Sequence, residues 1–407
     1  MFKKRGEVKE YSGFFAKHKL WMASATLIGT IIGAGILALP YVIAKAGFFY
    51  GLFLLIFLGI IMLFVNLFVG EIVLSTKGQH QLTGYAERYL GKWGKRLFTF
   101  SMVFGIYGAL TAYLIGEGET LYNIVSWGSP LLYSILFFLF GFFIIYRGVK
   151  ATGRAEMILT SLMFLIVIVV GILTFKKINY DYFFISNPAY IFYPYGAILF
   201  AYLGAAAIPE MQEELGKDKK LMKKAIIIGS LVPIILYTLF AFLVIGIVGL
   251  ENFEGLIQEG VQPIATIALG IFSSPLLGKL ANIIAICTMF TSFLTLGIAL
   301  TELYQYDFKL TRKKSLLLTF ALPLLLVIFG LKSFISIILI SGAVAGGLEG
   351  ILIVLMYWKA KKLWNRKPEY SMQAPKAVGY IIIAVFALGI IYQIWDQLLS
   401  KILDKIF

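Results

Sequence analysis

Charge is scarce in this chain. Of its 407 residues only 14% are Asp, Glu, Lys or Arg, against 60% hydrophobic. Soluble domains carry about a quarter charged residues, so a water-exposed globule is excluded. Cysteine is scarcer still. Cys287 stands alone, which rules out an intrachain disulfide, and His18 and His80 are the only histidines, too few for a thiolate–imidazole metal site. The same poverty argues against a membrane enzyme, which needs His, Asp or Glu gathered at the lipid boundary. No G-x-x-x-x-G-K-[ST] run occurs, so nothing points to a P-loop, an ATPase subunit or ATP-driven pumping. Neither a filter loop nor a repeated charge ring of the kind that selects ions in channels is present. No organic cofactor is expected.

What the chain has is long apolar blocks. Crossing ~30 Å of hydrocarbon takes roughly 20 mainly apolar residues in a helix. Without the period-2 alternation of a barrel, the blocks must satisfy their backbone as helices. Eleven spans are expected: 21–46, 48–75, 97–124, 128–147, 155–175, 190–209, 225–249, 276–302, 315–330, 332–358 and 377–398. The fold class is an all-α polytopic membrane protein. The net charge of +15 sits in short basic clusters between the blocks, which a positive-inside bias explains without a nucleic-acid partner. With the N-terminus cytoplasmic, 29 of the 36 Lys and Arg fall on the inner side. The odd span count then puts the C-terminus outside. The expectation is a multi-pass protein of the cell membrane, partnered by the lipid bilayer, with a cytoplasmic basic arm at 1–20 and an extracellular tail at 399–407. The first span reads as an uncleaved insertion signal. Residues 81–96 mix Tyr85, Leu90 and Trp93 with Arg88, Lys92, Lys95 and Arg96, and suit the headgroup surface. Residues 251–275, acidic and holding Pro263 and Pro275, read as an external loop with short helices.

The first span contains Gly29-Thr30-Ile31-Ile32-Gly33-Ala34-Gly35-Ile36-Leu37-Ala38-Leu39-Pro40. Each glycine costs a helix interior up to ~1 kcal/mol relative to alanine, so three near the bilayer centre call for a reason. Close helix packing is the plain one, since Gly29 and Gly33 form a small-xxx-small pair. Span 6 alters the balance, because Leu199-Phe200-Ala201-Tyr202-Leu203-Gly204-Ala205-Ala206-Ala207 again puts small residues at mid-depth. If spans 1–5 (21–175) and 6–10 (190–358) are two repeats, the interruptions hold matching places, the best sequence pointer to a transporter's midplane site. Free amides at Gly33, Ala34, Gly35 and Ile36, at the positive end of a half-helix, suit a carboxylate. Unpaired carbonyls at Ile31, Phe200 and Ala201 suit an ammonium group. Together they describe an α-amino acid site, with Gly33, Gly35 and Gly204 allowing close approach. Phe200 and Tyr202 beside the break, with Tyr107 and Tyr113 on span 3, offer aromatic walls for an apolar or aromatic side chain. Replacing Gly35 with leucine is expected to abolish binding and leave the fold intact.

The span-1 string resembles the first-helix motif of the amino acid/auxin permease family, within the amino acid-polyamine-organocation superfamily. That family includes bacterial aromatic amino-acid permeases and eukaryotic neutral amino-acid transporters. Phe200-Ala201-Tyr202 and Ile208-Pro209-Glu210, followed by Glu213-Glu214-Leu215, resemble its sixth-helix region. Many members have a histidine shortly after the span-6 aromatic, where this chain has Leu203. The resemblance implies a leucine-transporter-type five-plus-five inverted repeat, with span 11 (377–398) outside it, working by alternating access as a secondary transporter of a neutral amino acid.

The same resemblance implies a sodium ion between the span-1 break and span 8. Its ligands would be the carbonyls of Gly29, Ile32 and Thr288 with the hydroxyls of Thr291 and Ser292. Spacings of three and four place Thr288, Thr291 and Ser292 on one helical face; the plain alternative is that each bonds the carbonyl one turn back. Some relatives of this fold carry a titratable lysine in span 5, which here has no charge over 157–175. Proton coupling remains the alternative through Glu71, Glu117, Glu119 or Glu349, because a buried charge in lipid is costly and marks function. An amino-acid sensor built on the same fold is the other alternative.

Overall fold

The computed structural model describes residues 18–148, 153–306 and 308–399. Residues 1–17 of the basic arm and 400–407 of the tail lie outside the described residues. Among those described the chain is helical, and the only pairing of extended backbone is an isolated bridge between Gly47 and Ser186.

The first apolar block is two helices. α1 (Lys19–Ile31) stops where Ile32 turns extended (φ −82°, ψ 99°), and α2 (Gly35–Ala46) leaves at 59° to it. α3 (Phe48–Ser75) follows. α4 (Leu82–Val125) is 44 residues long and is interrupted at Gly91 (φ 75°), which sets its first nine residues, 82–90, apart from the rest. α5 (Pro130–Tyr146) starts on a Ser129 cap whose hydroxyl accepts from the Leu132 amide. α6 is Gly153–Thr174. The sixth block also divides: α7 (Tyr195–Tyr202) ends where Leu203 turns extended, and a short turn at Ala205–Ala207 leads into α8 (Ile208–Leu215), with Pro209 in its first turn. α9 (Met222–Gln258) is interrupted at Gly249 (φ 71°). α10 (Ala265–Phe272), α11 (Pro275–Tyr306) and α12 (Arg312–Ile328) come next. α13 (Phe334–Ser341) passes through one π turn, Gly342–Gly346, into α14 (Gly347–Leu363), and α15 is Lys376–Ile394.

Among the described residues six helices are long and apolar enough to cross a bilayer, or seven if the bent α1–α2 pair counts as one. The blocks at 128–147, 155–175, 190–209 and 315–330 fall on α5, α6, α7 with α8, and α12. At ~1.5 Å per residue, the 17 residues of α5 rise about 26 Å. In the acidic stretch 251–275 the structure places the end of α9 and the short α10.

Helices associate in lipid where small side chains let backbones approach. α7 crosses the π turn in this way: a Cβ on Gly196 would fall 2.0 Å from the Leu339 carbonyl, and one on Gly342 would fall 2.0 Å from that of Gly196. Nearby, the Ser101 hydroxyl of α4 donates to the Ala345 carbonyl at 2.7 Å.

The segment 364–375 returns to the end of α3. There the Leu74 carbonyl accepts from Arg366 Nη1 (2.5 Å) and the Ser75 carbonyl from the Asn365 and Arg366 amides (3.2 Å each). These are carbonyls a helix end leaves without internal partners. Buried Glu71 accepts from Ser371 Oγ (3.1 Å) and the Met372 amide (2.6 Å) and pairs with Lys361. Arg366 also pairs with Glu369. Partial burial works to raise the Glu369 pKa, but hydrogen bonds from Arg366 and the backbone, with the charges of Arg366 and Lys219, outweigh it and hold this carboxyl below its ordinary value.

Candidate functional site

The α1–α2 and α7–α8 breaks lie against each other beside a cavity of about 200 Å³. Of the residues offered by the sequence as ligand contacts, Ile31, Gly33, Ala34, Gly35, Phe200 and Gly204 line it. Ile36, Ala201, Tyr202 and Tyr107 do not. Ile36, Ala201 and Tyr202 are buried just behind the wall. Tyr107 is engaged elsewhere, its hydroxyl bonded to that of Tyr304 (2.7 Å) and to the Leu318 carbonyl (2.9 Å). Of the two tyrosines offered as span-3 aromatic walls it is Tyr113 that reaches the cavity, beside Ser101, Thr295 and Glu349; the sequence reading gave Ser101 and Thr295 no role and Glu349 only that of a proton-coupling candidate. Helical register decides this: Tyr107 and Tyr113 are six residues apart and so face different sides of α4.

The cavity is open on one side. Thr30, Ala206 and Thr295 on its wall are exposed, whereas α2 is buried from Gly35 to Ala44. The amides that open α2 begin at the cavity wall, where a helix start leaves N–H groups without an intrahelical partner, although that of Leu37 already donates to the Ala34 carbonyl (3.0 Å). Thr26 on α1 bonds both carboxylate oxygens of Glu214 on α8 (3.0 and 2.9 Å), and Lys19 pairs with Asp218 (2.6 Å). The half-helices on the open side are therefore tied together.

The carbonyls freed at the breaks are not all free. The Tyr237 hydroxyl of α9 reaches both the Ile31 carbonyl (2.9 Å) and the Ala201 carbonyl (3.0 Å), and the Phe200 carbonyl accepts from the Leu203 amide at 3.4 Å. One fully buried hydroxyl thus joins the two breaks.

The two glycines of the first break differ. A Cβ on Gly33 would sit 3.6 Å from both Ser292 Oγ and Tyr113 Oη, an ordinary contact, while one on Gly35 would fall 2.6 Å from Ala201 Cα. Gly35 is a packing position as well as a cavity wall, so leucine there would push α2 from α7, and the expectation of an intact fold does not hold.

Among the residues named for sodium, Gly29 and Ser292 line the cavity. The Thr291 hydroxyl donates to the Cys287 (3.2 Å) and Thr288 (3.0 Å) carbonyls, and the Ile32 amide donates to the Ile28 carbonyl (2.8 Å). The four candidate carboxylates separate cleanly. Glu71 is committed to the 364–375 segment, Glu119 lies near Lys332, Glu349 lines the cavity, and Glu117 is buried at 0% exposure with neither oxygen hydrogen-bonded among the described residues. No group of three or more potential metal-ligating His, Cys, Asp or Glu occurs among the described residues.

Comparison with known proteins gives the site a context. A family model described as the tryptophan/tyrosine permease family matches residues 16–396. The chain is 26% identical over 352 residues to the tyrosine-specific transport system 1 of Haemophilus influenzae, covering 84% of this chain and 88% of that one. It is 27% identical over 398 residues to the low affinity tryptophan permease of Proteus vulgaris, covering 91% and 94%. Its fold is similar to that of MhsT, solved in complex with L-phenylalanine, with a TM-score of 0.64 over 92% of this chain and 98% of that one at 16% identity.

Proposed function

The chain belongs to the tryptophan/tyrosine permease family, and from that membership we propose that it carries an aromatic amino acid across the cell membrane by alternating access. It is a multi-pass helical transporter, not an enzyme. The observation that carries the reading is the cavity lying between two helix breaks in a permease-family chain. In this reading the ligand carboxylate meets the first amides of α2 at Gly33, Ala34, Gly35 and Ile36, where the helix dipole favours it. The ammonium group turns to the carbonyls of Ile31 and Phe200, residues that line the cavity, and Phe200 with Tyr113 flanks the side chain. The names of the tyrosine and tryptophan relatives, and the phenylalanine bound to MhsT, favour an aromatic side chain.

The wider reading keeps eleven spans, two inverted repeats at 21–175 and 190–358, a cytoplasmic N-terminus and membership of the broader amino acid/auxin permease group. Sodium is the proposed coupling ion, held by the carbonyls of Gly29, Ile32 and Thr288 and the hydroxyls of Thr291 and Ser292. Proton coupling is the second reading, favoured by the buried carboxyl of Glu117, which has no hydrogen-bond partner among the described residues. Uptake of labelled tryptophan, tyrosine and phenylalanine into proteoliposomes, with sodium and proton gradients imposed separately, tests both. Accumulation of at least one of the three supports the transport reading, and uptake of none overturns it. Unchanged accumulation with sodium absent on both sides overturns the sodium reading.

A further inference from the structure

A larger cavity, of about 770 Å³, lies away from the two breaks, between the last turns of α14, the start of α15 and Leu90 just before the Gly91 interruption. Both α14 and α15 belong to spans long and apolar enough to cross a bilayer, so the place where one ends and the next begins is a membrane surface. Four lysines line the cavity, Lys359, Lys361, Lys362 and Lys376, and no described Asp or Glu does. Lys361 is committed, pairing with Glu71 and donating to the Met372 carbonyl at 2.8 Å. Lys359, Lys362 and Lys376 are exposed and have no ion-pair partner among the described residues. Three ammonium groups gathered at one mouth repel one another and favour an anion between them.

The rest of the wall is apolar and aromatic. Leu355 and Tyr380 line it with Trp358, whose ring lies 5.0 Å from that of Tyr380. Tryptophan and tyrosine gather at the headgroup level of a bilayer, apolar body inward and polar tip toward water. From Tyr380 an exposed apolar stripe continues through Ala384, Leu388 and Ile391, at spacings of four, four and three that keep it on one face of α15. Only 22% of the apolar stretch of α15 is buried, against 78% for the span formed by α13 and α14. That face of α15 is therefore one that lipid covers, and the lysine cluster stands at its foot.

We propose that this cavity binds the headgroup of an anionic glycerophospholipid, its phosphate among Lys359, Lys362 and Lys376 and its acyl chains along the α15 stripe. Basic pockets between spans recruit anionic headgroups in this way. A soluble phosphate matches the lysines and has no use for the stripe. A neutral lipid matches the stripe and leaves the three ammonium groups without a counter-charge. The bound lipid ties the start of α15 to the end of α14, next to Met372 of the segment that caps α3. The inference goes beyond the transport reading and does not depend on which amino acid is carried.

The test places the full-length protein in nanodiscs of phosphatidylcholine and phosphatidylglycerol in equal parts, and reads retained lipid by native mass spectrometry. Wild type should retain phosphatidylglycerol over phosphatidylcholine by about ten-fold, and should melt higher in the mixture than in phosphatidylcholine alone. Lys359→Gln, Lys362→Gln and Lys376→Gln in combination should lose both the preference and the added stability. Lys217→Gln, Lys220→Gln and Lys223→Gln, exposed lysines around the start of α9, make the same change in net charge and should keep both. If the first combination already melts early in phosphatidylcholine, Tyr380→Glu decides instead. It puts a negative charge on the rim without touching a lysine, and should remove the preference by itself. Equal retention of the two lipids by wild type, an unchanged preference in the cavity variant, or an equal loss in the α9 variant would each overturn the inference. Inorganic phosphate that stabilises the detergent-purified protein as well as phosphatidylglycerol does would overturn the lipid as occupant.

Discussion

A single methyl group should act in opposite ways on Gly33 and Gly35. At Gly33 it meets Ser292 and Tyr113 at ordinary contact distance, inside the cavity; at Gly35 it meets the backbone of Ala201. Gly33→Ala should therefore melt close to wild type and lose affinity for the amino acid several-fold. Gly35→Ala should destabilise the protein by about 1–3 kcal/mol, the usual cost of overpacking. Thermal unfolding with and without tryptophan separates the two effects. Tyr237→Phe removes the side-chain donor that the buried Ile31 and Ala201 carbonyls share. It should cost about 1–3 kcal/mol, read in the same melting experiment. The sequence makes the glycines conspicuous but cannot rank them, because the difference lies in Ala201, distant in the chain. Tyr237 carries no sequence signal, being one aromatic residue inside an apolar run.

At the scale of elements, hydrophobic blocks located the helices well, since lipid leaves the backbone little alternative. Glycine and small residues cluster where α1 gives way to α2 and α7 to α8, which is what made those places conspicuous. Two features were not. The π turn at Gly342–Gly346 has no marker of its own beyond small residues, and segment 364–375 reads as a polar connector although it caps α3. That cap has a pH signature. Glu369 has its pKa lowered on folding, so the stabilisation is complete above the ordinary glutamate value and is lost as pH falls through the lowered folded-state value. Glu369→Gln should thus melt below wild type at neutral pH, and the gap should close as pH falls below about 4. A gap that widens on acidification would contradict the assignment.

At the scale of the whole molecule, the one-sided opening of the cavity makes a labelling prediction. In a Cys287→Ser background, a cysteine at exposed Thr30 should react with a membrane-impermeant thiol reagent from one face only, and tryptophan should slow the reaction. A cysteine at Val42, buried in α2, should resist from both faces until the molecule changes conformation. If the N-terminus is cytoplasmic, the reactive face for position 30 is the inner one. Charge sorting could propose that orientation from the sequence. Which side is open could not be read there, because it is a property of packing between distant helices.

The Tyr237 junction also sets a tally. Its hydroxyl bonds the Ile31 and Ala201 carbonyls at once, and a carbonyl oxygen has two lone pairs. In the proposed reading, an ammonium group that takes the second lone pair of the Ile31 oxygen leaves the Tyr237 bond in place. Loading the cavity then keeps the tie between the two breaks, so they move onward together with their cargo.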